Sequence, residues 1–294
     1  MAKSLGSRGG NDRKDGRLLR TLGGFARFLP FVMTSRNDAF NLYEDDYEVT
    51  ESDRWIKAQR SKGYKSMGLL HLLIAAYVRV IAALPGINRF VAGRRIYARN
   101  EIEVSMLVKR SNTMDAGETS VKIAFEPSDT VYDVYRKVNA ALEKVRDEDD
   151  GNDTDAFVSF LANSPRFVTR IIMWILRALD YLGLLPEKII SISPLHSSMM
   201  ISDMSYMGGA PMYHHIYNVG TLPVCISFGA RQHMEDVDDS GNAIDRKFIE
   251  ARFAVDGRTV DTHYYAAAFK LLKRFIEDPS QLEVPPVKVN DDIY

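Results

Sequence analysis

The side chains able to handle a proton near neutral pH are few, and they cluster in the last third of the chain. His214 and His215 stand side by side in "MYHHIYNVG", and His263 follows in "VDTHYY". Imidazole is the side chain best placed to titrate there and to serve as a general base. One of two consecutive histidines can point inward; the other reading is a pair of loop or core histidines with satisfied hydrogen bonds. Near them, "VDGRTVDTHYYAAAFKLLKRFIEDP" reads as a strand, a tight corner and an amphipathic helix. Chemistry is often staged at such a corner, yet the corner position holds Gly257. Arg258 is expected to pair with a carboxylate there. Asp261 reads as the helix N-cap, since its carboxylate can accept the free amides of a first turn. Ser202, in "MMISDMSYM", is by itself a polar position in a strand. Cys225 sits in an apolar strand and reads as core, while His71 and His196 read as structural.

Other chemistries lack their residues. A single cysteine excludes an internal disulfide framework and a cysteine-based zinc site, and fits a reducing, cytoplasmic setting. No metal site is expected. No glycine-rich phosphate-binding motif is present, which leaves dinucleotide and nucleoside-triphosphate chemistry unsupported. A formal net charge of −1 provides no global field to recruit nucleic acid or an anionic membrane.

The elements that must position these residues follow from patterning. Residues 1–17 open a stretch with six Lys/Arg against two Asp by residue 20 and no apolar segment. They predict a disordered basic tail, or alternatively a polyanion-binding arm. Residues 18–33 predict a helix or arm docking on the body. "YEVTESDRWIKAQRSKGY" switches from strand to helix, with Ser52 or Asp53 as cap and Gly63 as stop. Two apolar runs, 67–84 and 167–185, are tested against a membrane span. Each carries interior charges (Arg79; Arg170, Arg177 and Asp180), penalised by about 3 kcal/mol apiece at the centre of a bilayer. Both are read as buried helices. "RDEDDGNDTD" holds six acids in ten residues and predicts a solvated loop. The arginines of the 165–185 helix fall on one stripe and read as a solvated face rather than a phosphate-binding one. Strands around 198–205, 223–232 and 246–255 follow, the last two flanking the hairpin signal "DDSGN". The tail at 280–294 is expected to be loose. Strands and helices that mix without a strict βαβ rhythm predict an α/β two-layer sandwich with a mixed β-sheet.

At this resolution the chain resembles a known family. The stretch from Val255 to Pro279 is similar to the C-terminal motif of the dihydrolipoyl acyltransferase catalytic domains, relatives of chloramphenicol acetyltransferase. That motif is H-R-x-x-D-G followed by a helix and a Glu-Asn/Asp-Pro end. Arg258 falls on its arginine, Asp261 on its aspartate, Thr262 on its glycine, and Gly257 on its catalytic histidine. "MMISDMSYMGG…IYNVGTLPVCISFGA" resembles the family's T-I-S-N-L-G strand and I-x-N segment, placing Ser202 on the oxyanion-supporting serine and Asn218 on the asparagine. A weaker match begins at "LLHLLIAAYVRVIAALPGINRF". The resemblance implies the coenzyme A-dependent acyltransferase fold in a single domain over 18–279, with an enlargement at 146–190. It implies coenzyme A or acyl-coenzyme A as substrate, no lipoyl domain in this chain, and a homotrimer whose active site lies between subunits.

Such chemistry needs a base, an oxyanion donor and shelter from water. The donor position is kept as Ser202. The base is not, and its loss typically costs about 10²–10⁴ in rate. Two readings follow: an acyltransferase using His214, His215 or, less well placed, His263 as a substitute base, or a non-catalytic acyl-thioester-binding or scaffold protein. On the sequence alone, Gly257→His is expected to raise turnover about tenfold or more.

Overall fold

A computed structural model describes residues 12–109, 118–147, 153–237 and 241–293. It begins with strand β1 (Gly16–Leu18) and helix α1 (Gly24–Val32), then β2 (Phe40–Glu48) running directly into α2 (Thr50–Ser61). The cap of α2 lies earlier than its sequence suggests, at Val49. Ser52 instead donates to the Ile276 carbonyl and Asp53 accepts from Arg231, so neither is free to cap. Next come α3 (Leu69–Ala83), β3 (Arg89–Ala92), β4 (Arg95–Arg99), β5 (Ile102–Lys109), β6 (Glu118–Phe125) and α4 (Val131–Asp147). Three helices follow, α5 (Asp153–Asn163), α6 (Arg166–Leu182) and α7 (Glu187–Ile192). The chain closes with β7 (Met199–Asp203), β8 (Val224–Val237), β9 (Ala243–Asp256) and α8 (Thr262–Glu277).

Six strands form one sheet in the order β2-β9-β8-β7-β5-β6, and β1-β4-β3 form a smaller one. The β5–β7 and β7–β8 pairs are parallel and the others in the large sheet antiparallel, so the sheet is mixed. Alternation sends Val104, Ile201, Ile226 and Phe253 to one face, where they meet α3 and α8. Because α3 is apolar around its whole circumference, it suits the centre of that layer, and it is buried almost throughout. Aromatic contacts tie the layers: Phe269 of α8 lies 4.3 Å from Phe253 and 5.0 Å from Tyr43, centroid to centroid. The architecture is the α/β two-layer sandwich with a mixed sheet.

The opposite face is covered near its middle by residues 209–222. Ile216 and Leu222 pack there on Cys225 and Ala254, with Met200 and Phe40 at the margin. Burial pushes the Cys225 thiol up to about 12, as suits a core position.

Several sequence expectations change. Residues 12–17 are ordered: β1 pairs with β4, and buried Arg13 reaches Asp15 at 2.8 Å and Asp180 at 2.7 Å. Residues 1–11 lie outside the described residues. The chain beyond Pro279 is tied down rather than loose. Arg89 holds Asp292, Asn290 bonds the carbonyls of Ala82 and Ala83, and Arg79 bonds those of Gln281 and Val284. Helix α6 has no buried residue. Its apolar residues Phe167, Ile171 and Trp174 are exposed, because α6 lies outside the sandwich with α5 and α7. Half of the acidic stretch is helical: Asp153 and Asp155 stand in the first turn of α5, where carboxylates favour the helix dipole. Residues 148–152 and the hairpin turn at 238–240 lie outside the described residues. Among the described residues no helix is long and apolar enough to cross a membrane.

His71 is buried at the start of α3, its Nδ1 accepting from the Gly68 amide at 3.1 Å and its Nε2 unpaired. Burial holds the imidazole down at about 4 against an ordinary 6.5. Below 6.5 the unfolded chain takes up a proton that the folded chain refuses, so stability falls with falling pH until about 4. We expect this one group to remove about 3 kcal/mol across that window. Urea unfolding at stepped pH checks it: in His71→Gln the decline between pH 6.5 and 4 should be shallower by that amount.

Candidate functional site

The corner after β9 is built around a carboxylate. Asp256, 1% exposed, ends the strand and accepts from the Arg258 amide at 3.2 Å, its Nε at 2.8 Å and its Nη2 at 2.7 Å. Arg36, from the loop before β2, brings its Nε to 3.8 Å from the same carboxylate. Arg258 also donates to the Met33 carbonyl at 3.2 Å, so the corner clamps the N-terminal segment onto the sheet. Tyr265 donates to the Asp256 carbonyl at 3.1 Å and contacts Thr259 Oγ1 at 2.8 Å. Asp261 accepts from the Tyr264 amide at 2.8 Å and caps α8, the role its position suggests. Arg258 thus meets the expected carboxylate, and that carboxylate is Asp256. Sequence reasoning passed over Asp256; the only signal was the D-x-R spacing at the end of a strand.

Gly257 is filled from outside. Its amide donates to the Ala39 carbonyl at 2.8 Å. A Cβ at this position would stand 2.9 Å from that same oxygen and 2.8 Å from Asn41 Nδ2. The start of β2, in register with Asp256 through Phe40, therefore occupies the room a side chain would enter.

Ser202 lies on β7 opposite Ser227 of β8, which in turn faces Arg252 of β9. Five residues separate Arg252 from Gly257, roughly 17 Å of strand. Within one chain, Ser202 and the corner do not share a site. The contact of Ser202 Oγ is the Met204 sulfur at 3.8 Å. Residues 209–222 run across the same face. Met212 donates to Ser227 Oγ at 3.3 Å, Cys225 Sγ is 3.9 Å from the His215 carbonyl, and Asn218 Oδ1 accepts the amides of Arg36 and Asn37. Asn218 therefore reaches the corner through Arg36. His214 is half-buried with an unpaired, buried Nε2; burial first, then the charge of His215, lowers its imidazole. His215 and His263 are exposed.

Behind the corner, a cavity of about 470 Å³ separates the sandwich from α5, α6 and α7. Its walls include Phe157, Leu161, Met173, Leu176, Leu185 and Ile189, and its floor Arg36, Arg258, Asn218, Asp180 and His196. Asp180 is held at about 2: burial alone would raise it, and His196 with Arg13 outweigh that. The arginine stripe of α6 thus divides. Arg166, Arg170 and Arg177 are exposed, while Asp180 is committed inward to Arg13. This cavity was invisible in the sequence, where α6 reads as a core helix. Among the described residues no cluster of His, Cys, Asp or Glu could hold a metal ion.

No protein-family model matches the sequence, and no curated protein matches it. Solved structures do match. A probable dihydrolipoamide acetyltransferase from Listeria monocytogenes 4b F2365 is 12% identical, with a TM-score of 0.57 over 94% of this chain and 97% of that one. The truncated catalytic core of the 2-oxoacid dehydrogenase multienzyme complex from Thermoplasma acidophilum is 14% identical, with a TM-score of 0.54 over 89% and 98%. A chloramphenicol acetyltransferase is 9% identical, with a TM-score of 0.51 over 85% and 93%. With the mixed six-stranded sheet, the layer of α3 and α8 and the corner after β9, these likenesses give the chain the fold of the coenzyme A-dependent, chloramphenicol acetyltransferase-like acyltransferases.

Proposed function

We propose that this chain is a non-catalytic member of the acyltransferase lineage, a homotrimeric protein that binds coenzyme A or an acyl thioester without turning it over. One observation carries the reading. The position where the resembled family keeps its base is a glycine whose side-chain space is taken by the Ala39 carbonyl and Asn41. The site has closed over the missing imidazole, and neither Arg258 nor Asp261 is free to replace it, the one bound to Asp256 and the other capping α8. The separation of Ser202 from the corner along the sheet supports a site assembled between subunits. A cytoplasmic setting suits the buried, weakly acidic Cys225 thiol.

A second reading is favoured by His214. Burial and the charge of His215 lower its imidazole, its Nε2 has no hydrogen bond, and it belongs to the segment whose Met212 and His215 backbone groups meet Ser227 and Cys225 on the face that carries Ser202. In that reading His214 accepts the acceptor's proton while Ser202 supports the oxyanion. The test is calorimetric titration with coenzyme A and acetyl-coenzyme A beside a thiol-release assay, on a chain whose mass is checked by light scattering. We expect a trimer near three times 33.2 kDa, binding of coenzyme A, and no turnover above background. Turnover lost in His214→Ala and reduced by about 10²–10³ in Ser202→Ala would establish the second reading instead. A chain that stays monomeric over a wide concentration range removes the shared site.

A further inference from the structure

We propose that the cavity between the corner and helices α5, α6 and α7 binds a single-chain amphiphile with a carboxylate head, a ligand of the fatty-acid class. The proposal goes beyond thioester binding at the sheet and does not depend on it.

The volume, about 470 Å³, lies within the range of roughly 300–1,000 Å³ usual for small-molecule sites. The walls are hydrocarbon, from Phe157 and Leu161 of α5, Met173 and Leu176 of α6, Leu185, and Ile189 of α7. One end is different. Arg36 and Arg258 both line it, 7% and 5% exposed, and share the single carboxylate of Asp256. Asp256 is committed to Arg258 at 2.7 Å, whereas Arg36 Nε stands 3.8 Å away without a hydrogen bond. The other acid on the wall, Asp180, is engaged by Arg13 at 2.7 Å and by His196 Nε2 at 3.5 Å. Arg36 Nη2 donates to the Val91 carbonyl at 2.9 Å, which leaves Nε as its buried donor without a hydrogen bond. Burial, with the nearby charge of Arg258, outweighs the attraction of Asp256 and Asp180 and depresses Arg36 to about 10.

An anionic head with oxygen acceptors would supply what Arg36 lacks: an acceptor for its Nε and a further opposite charge at hydrogen-bond distance. A carboxylate matches a guanidinium geometrically and forms strong charge-assisted hydrogen bonds with it. The long apolar walls then call for a hydrocarbon tail. An uncharged lipid would bring no charged acceptor to Arg36 Nε, and a compact polar anion would leave the walls unfilled.

The experiment is calorimetric titration of the whole chain with dodecanoate below its micelle-forming concentration, beside 1-dodecanol and dodecanoyl-coenzyme A. We expect one dodecanoate per chain and at least tenfold weaker binding of the alcohol. Leu176→Trp, which fills the cavity, should abolish binding. Arg36→Gln should weaken dodecanoate at least tenfold and leave the alcohol unchanged. Trp174→Glu, on the exposed side of α6, should leave dodecanoate binding intact. Absence of dodecanoate binding overturns the proposal, as does binding that survives Leu176→Trp in a chain whose circular dichroism and melting are unchanged. Equal affinity for acid and alcohol overturns the carboxylate assignment. So does tighter binding of dodecanoyl-coenzyme A that Leu176→Trp removes. If Arg36→Gln fails to fold, the comparison of acid with alcohol on the unaltered chain decides the point.

Discussion

Replacing Asp256 by Asn is expected to destabilise the chain by about 3–5 kcal/mol, the usual consequence of stripping one partner from a buried ion pair. The substitution keeps the size of the side chain and removes its charge. It leaves Arg258 and Arg36 buried together without the carboxylate that both face, at a corner that is almost fully sealed. The damage should extend beyond β9, since Arg258 also binds the Met33 carbonyl and the Asp256 carbonyl accepts from Tyr265 of α8. Thermal unfolding should shift downward by roughly 10 °C for a domain of this size. Adding Arg258→Met to Asp256→Asn should recover part of the loss, because only one buried cation then remains. A single-variant loss below about 1 kcal/mol would mean that the arginines are compensated elsewhere, and would remove the corner as the organising feature of the site.

Restoring the imidazole at Gly257 is the substitution that the sequence resemblance invites. The structure reverses its expected outcome. Any side chain here begins at a Cβ within 2.9 Å of the Ala39 carbonyl, a backbone atom fixed by its hydrogen bond to the Gly257 amide and by the register of β2 with β9. Overpacking of this kind typically costs about 1–3 kcal/mol. Gly257→His should therefore melt lower than the parent and gain no thiol-release activity, and Gly257→Ala should show a smaller loss of the same sign. Asn41→Gly, added to Gly257→His, should restore only part, since it clears the amide and leaves the Ala39 oxygen in place. A stable Gly257→His protein with a tenfold gain in acyl-coenzyme A turnover would show that the edge strand yields easily, and would overturn the non-catalytic reading.

Local patterns made much of the sandwich legible. The uninterrupted apolar run that became α3, the Asp261 cap and amphipathic spacing of α8, and the alternation on either side of the β8–β9 turn are all decided within a few residues of chain. The absence of a base at position 257 is equally local, as is the presence of Ser202 on a strand. What occupies the glycine's space is not local. Ala39 and Asn41 precede Gly257 by more than two hundred residues, and only strand pairing brings them to it. The same applies to Asp256, whose two arginines arrive from separate segments, and to the chain ends, where Arg13 finds Asp180 and Arg89 finds Asp292. Held by those pairings, residues 12–17 and 280–293 departed from the tails that their polar composition suggested. Helix α6 shows the limit most plainly. Its periodicity determined that it would be a helix with one narrow polar stripe and an otherwise apolar surface, but such a surface does not record what lies against it. Only the tertiary arrangement decided that part of the apolar surface walls a cavity while Phe167, Ile171 and Trp174 face outward, because burial depends on which other segments reach the surface and amphipathic spacing carries no information about them.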